Sequence, residues 1–85
     1  MTEDFVDITK FRKGDLIIPQ NSIFIIVDHY CYLVDKRVTS HRNLFSNAIF
    51  LERLSFYNNH IKIFLNLKIY TVNCTFVDFK KISYV

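Results

Sequence analysis

Eighty-five residues with a formal charge of +3 and 51% hydrophobic content make one small domain over residues 1–85, too short for a second core but rich enough in large side chains to fold without crosslinks. The longest apolar runs, Ile23 to Val27 and Tyr30 to Val34, span five residues each, against the ~20 of a membrane-crossing helix. One glycine cannot build a phosphate-cradling loop, and Cys31 and Cys74 belong to no CxxC or Cys/His ligand cluster, so a P-loop and a zinc site are both set aside.

The amino-terminal stretch, Met1 to Thr9, is acidic and polar around Phe5, Val6 and Ile8 and carries no secretory pattern. It predicts a loose lead-in or short edge strand in a cytoplasmic protein, with Cys31 and Cys74 as buried free thiols. Gly14 then precedes an apolar run that Pro19 ends, because proline cannot donate a ladder hydrogen bond; a strand over Asp15 to Ile18 follows. Turn chemistry at Pro19-Gln-Asn-Ser leads into Ile23-Phe-Ile-Ile-Val, a central strand, and Asp28-His-Tyr reverses the chain into a third strand over Cys31 to Asp35.

Lys36 to Asn47 is a polar insert carrying Lys36, Arg37, His41 and Arg42, expected as a solvated basic loop. Ala48 to Tyr57 fits both a helical stripe (Phe50, Leu54, Tyr57) and strand alternation (Phe50, Glu52, Leu54, Phe56); the β-rich context favours a strand, with one short helix capped by Asn47 as the alternative. From Ile61 to Tyr70 every odd position is aliphatic. That two-residue period predicts one long strand with Ile61, Ile63, Leu65, Leu67 and Ile69 turned inward and Lys62, Phe64, Asn66, Lys68 and Tyr70 outward. A final strand is expected over Thr75 to Phe79, after a bend near Asn73. Five to six short antiparallel strands in this length predict an all-β small barrel.

The segment Phe11-Arg-Lys-Gly-Asp-Leu-Ile-Ile resembles the opening of Src-homology-3-like (SH3-like) barrels of the KOW and Tudor type, and the likeness extends over the meander Ile23 to Asp35 and the closing stretch Thr75 to Ile82. Asn21-Ser22 stand where KOW segments carry further glycines. What the resemblance implies is an SH3-like barrel with a long basic loop and a nucleic-acid-binding role of the KOW kind.

Residue usage adds a source. Phe, Ile, Asn, Lys and Tyr account for 39 of 85 positions, whereas Gly, Ala, Pro and Arg together account for 7. The favoured residues have A/T-rich codons, which with the small size points to a bacteriophage or another compact virus.

No constellation specifies a reaction. Asp28-His29 with Cys31 is the one local grouping with catalytic residue types, yet on a strand Asp28 points away from the other two. His41 and His60 have no ligand spacing. The chain is therefore expected to be a non-catalytic binding module without cofactor or metal, acting as a phage accessory protein on a host or viral protein. Partner contacts are assigned to Lys36, Arg37, Arg42, Phe64 and Tyr70. Two alternatives stand beside it. A nucleic-acid binder would use Lys62, Lys68 and Tyr70, cations meeting phosphates and rings stacking bases. A structural virion component would self-associate through an edge strand.

Overall fold

The computed structural model describes residues 7–37, 43–54, 59–75 and 77–82. The Asp7 carboxylate accepts from the Thr9 amide and hydroxyl and caps a single 3-10 turn, Ile8–Lys10. Gly14, at φ 96°, then brings the backbone against Phe50, whose carbonyl accepts from the Gly14 N–H at 2.9 Å. A side chain at that φ would clash, so the sole glycine sits where the first strand needs it.

Strand β1 (Leu16–Pro19) ends at the proline. Asn21, at φ 57°, turns the chain into β2 (Ser22–Val27), and Asp28-His29, at φ 50° and 70°, form a two-residue reversal into β3 (Tyr30–Asp35). Both positive φ values match the primed turns that suit the twist of hairpin strands. A two-residue strand β4 (Leu44–Phe45) pairs with β2 inside the stretch expected as a loop. There follow β5 (Ala48–Arg53), β6 (His60–Leu65), β7 (Lys68–Asn73) and β8 (Phe79–Ile82). All pairings are antiparallel, in a five-stranded sheet of order β7-β6-β5-β1-β8 and a three-stranded sheet of order β3-β2-β4.

The all-β, barrel-like expectation holds, with eight strands among the described residues rather than five or six. Ala48–Arg53 is extended, not helical, with a register shift between Phe50 and Glu52. The closing strand starts only at Phe79, because the Asn73 side chain accepts from the Thr75 amide (2.9 Å) and hydroxyl (2.7 Å) and holds a turn there.

The largest correction concerns Ile61 to Tyr70. It is a hairpin, not one strand: Asn66 and Leu67, at φ 52° and 67°, reverse the chain between β6 and β7. Residues paired across an antiparallel ladder share a face, and the register pairs odd with even numbers, Ile61 with Val72, Ile63 with Tyr70 and Phe64 with Ile69. The inward set therefore switches parity at the turn. Ile61, Ile63 and Leu65 are buried as expected, but in β7 the inward residues are Tyr70 and Val72, while Leu67 and Ile69 face solvent.

The inner faces of both sheets share one core, in which Phe24 and Cys31 from the smaller sheet meet Ile17, Phe50, Ile61, Ile63, Val72 and Phe79 from the larger. Phe11 packs edge-on against Phe50 and Phe79, with centroids 5.2 and 5.5 Å away. Asp15, 1% exposed, accepts at Oδ2 from the Arg12 amide (2.8 Å) and from Lys81 Nζ (3.3 Å), and Lys81 also donates to the Lys10 carbonyl (2.7 Å). This buried ion pair ties β8 to the entrance of β1.

Candidate binding surfaces

With the inner faces committed to the core, chemistry available to a partner lies on the two outward faces. On the smaller sheet, Cys31 and Leu33 point inward, so the strand alternation turns Tyr30 and Tyr32 out, at 65% and 49% exposure. Cross-strand pairing sets Tyr30 beside Val27 and Tyr32 beside Ile25, and Ile25 in turn beside Leu44. The two rings thus stand on an aliphatic floor along an edge strand.

That strand runs directly into Lys36 and Arg37, both exposed. Lys36 is held by its amide, which donates to the Asn21 carbonyl at 3.0 Å. Arg37 is clamped by Asp35, with Nε to Oδ1 at 3.0 Å and Nη2 to Oδ2 at 2.9 Å. These hydrogen bonds, and that of the Arg37 amide, hold the Asp35 carboxyl down at about 2, while the same pairing raises Arg37. The guanidinium at this surface is ion-paired within its own chain.

The larger sheet presents a different outward face. Register places Ile82 beside Leu16, Leu16 beside Ile49, Ile49 beside Phe64 and Phe64 beside Ile69. Five apolar side chains therefore form one row across all five strands, with Ile82, Phe64 and Ile69 exposed and Leu16 and Ile49 half-buried. Leu67, 86% exposed, stands at the hairpin tip beyond the row. Between this tip and the β4–β5 connection lies an open cleft of about 590 Å3, walled by Phe45, Ile49, Phe64 and Leu67. Below the row, Lys62 pairs with Glu52 at 3.5 Å.

The residues assigned from sequence do not converge. Lys36 and Arg37 border the smaller sheet, Phe64 lies on the larger one, and Arg42 lies outside the described residues. Tyr70, expected outward, is 8% exposed because of the parity switch, and it supplies no ring to a partner. Lys62 is ion-paired and Lys68 lies at the hairpin end, so the cation-and-ring strip of the nucleic-acid assignment does not form on one face. Lys81 faces Asp15.

Tyr30 and Tyr32 were legible as an i, i+2 pair once the hairpin was placed, whereas the apolar row needed the register of five strands. The Asp28, His29 and Cys31 grouping also separates, since His29 sits in the exposed turn and Cys31 points into the core. Burial pushes the Cys31 thiol up to about 12 and that of Cys74 to about 11, the opposite of an activated nucleophile. The Cys74 thiol donates to the Asn59 carbonyl at 2.8 Å. Among the described residues no three His, Cys, Asp or Glu side chains cluster as a metal would require, and no helix is long and apolar enough to cross a membrane.

No protein-family model, curated protein or solved structure matches this chain.

Proposed function

We propose that the chain is a non-catalytic binding domain that captures another protein on the outward face of its three-stranded sheet, with Tyr30 and Tyr32 as anchors and Lys36 at the rim. A phage-type accessory role, acting on a host or viral protein, fits this reading and the A/T-rich residue usage. The observation that carries it is the pair of exposed rings on the aliphatic floor of an edge strand. Tyrosine offers large contact area at low conformational cost and is enriched among residues that dominate interface energetics.

Electrostatics favour a protein over a nucleic acid at this face. Asp28 and Asp35 bracket the two tyrosines, and Arg37 is occupied by Asp35, so among the described residues this face offers no run of unpaired cations for a phosphate backbone to follow. The test is affinity purification from the native cell with wild type and with Tyr30→Ala/Tyr32→Ala, the partner being identified by mass spectrometry. The double variant is expected to lose the partner while its circular dichroism stays unchanged, because both rings are solvent-facing. Retention of the same partner overturns the assignment. A low-salt gel shift of single-stranded nucleic acid, abolished by the double variant, would favour the nucleic-acid reading.

A further inference from the structure

We propose that the outward face of the five-stranded sheet seats a second copy of this chain, the two sheets packing face to face about a two-fold axis that runs along β5. The row Ile82, Leu16, Ile49, Phe64, Ile69 has β5 at its centre. A two-fold along that strand lays the row on itself in reverse, Ile49 on Ile49, Phe64 of one copy over Leu16 of the other, and Ile82 over Ile69. Every position meets an aliphatic or aromatic partner, the self-complementarity an isologous interface demands.

The area fits. The row and Leu67 together present roughly 500 Å2 of apolar surface, at the upper end of what a monomer leaves in water. With Ile18, Asn47, Lys62 and Thr71 on either side, each copy offers ~800 Å2, the standard share of a stable interface. The cation nearest the row on β6, Lys62, is balanced by Glu52 on its own sheet.

Leu67 gives an independent indication. It occupies a left-handed turn position, φ 67°, where turn chemistry favours glycine, and yet it carries a side chain 86% exposed. In the single chain that side chain costs backbone strain and buries little surface in return. In the two-fold arrangement Leu67 of one copy reaches the alkyl stem of Lys80 on the other.

This surface turns away from Tyr30 and Tyr32, so the inference goes beyond the proposed function and stands or falls separately from it. A dimer of this kind displays two tyrosine faces and becomes a bivalent binder.

The test is light scattering and sedimentation of the full chain over a concentration series. A species of twice the 10.2 kDa chain mass is expected, converted to monomer by Ile69→Lys and separately by Phe64→Glu, each with unchanged circular dichroism. Should either charged variant lose its fold, Ile49→Cys decides: mild oxidation is expected to give a covalently linked dimer, since Cys31 and Cys74 are buried. A wild type that stays monomeric at the highest soluble concentration overturns the proposal, as does a dimer indifferent to both charged variants or an Ile49→Cys chain that does not crosslink. Partner capture by Ile69→Lys, and dimerisation of Tyr30→Ala/Tyr32→Ala, report the two readings one at a time.

Discussion

The parity switch at Asn66-Leu67 makes a sharp energetic prediction about neighbouring residues. Tyr70 is 8% exposed and packs in the core beside Ile63, whereas Ile69 is 63% exposed beside Phe64. Truncating Tyr70 to alanine removes a ring whose neighbours cannot fully close the gap, at a cost of about 3 kcal/mol by the behaviour of buried aromatic residues. For a domain of this size that corresponds to a fall of about 12–24 °C in the thermal midpoint. Ile69→Ala removes surface already in water and is expected to change stability by no more than ~0.5 kcal/mol. Urea and thermal unfolding by circular dichroism, at chain concentrations low enough to keep self-association out of the midpoint, measure both. A single long strand predicts the reverse order, so an Ile69→Ala loss that equals or exceeds the Tyr70→Ala loss would refute the hairpin and its apolar row.

Leu67→Gly relieves a left-handed residue at the hairpin tip and is expected to stabilise the fold by ~1 kcal/mol, raising the thermal midpoint while weakening self-association in sedimentation. Lys81→Met removes the Lys81 ammonium from the buried Asp15 carboxylate; a loss of about 2–3 kcal/mol in urea unfolding is expected, somewhat below a fully enclosed pair because Lys81 keeps some solvent. The buried thiols set an alkaline limit: with Cys31 raised to about 12 and Cys74 to about 11 from 9.0, the unfolded chain ionises first. Their contribution is whole below pH 9 and is lost between pH 9 and 12. The urea midpoint should fall across the accessible part of that window, less steeply in Cys31→Ala, and iodoacetamide should label wild type only in denaturant.

Much of the architecture is written in local chemistry. Gly14 before an apolar run, Pro19 at its end and Asp28-His29 between two β-branched segments place β1, β2 and β3 from residue types alone, because positive φ and a missing N–H are properties of single residues. The burial of Cys31 and Cys74 follows in the same way from the habit of cysteine as a small apolar side chain. The alternation through Ile61 to Ile69 carries no such instruction. Asn66-Leu67 is a weak turn signal, and a period of two continues unbroken across a two-residue reversal while the inward face changes from odd to even numbers. Only the pairing of β6 with β5 and with β7 decides which residues are wet. Hence Tyr70 moved from candidate anchor to core, and Ile69 and Leu67 from core to surface. The tyrosine face needs only the local β2–β3 hairpin, but the apolar face depends on long-range register, since the row Ile82-Leu16-Ile49-Phe64-Ile69 collects residues from across the whole chain and hydrogen bonding between distant strands is what lines them up.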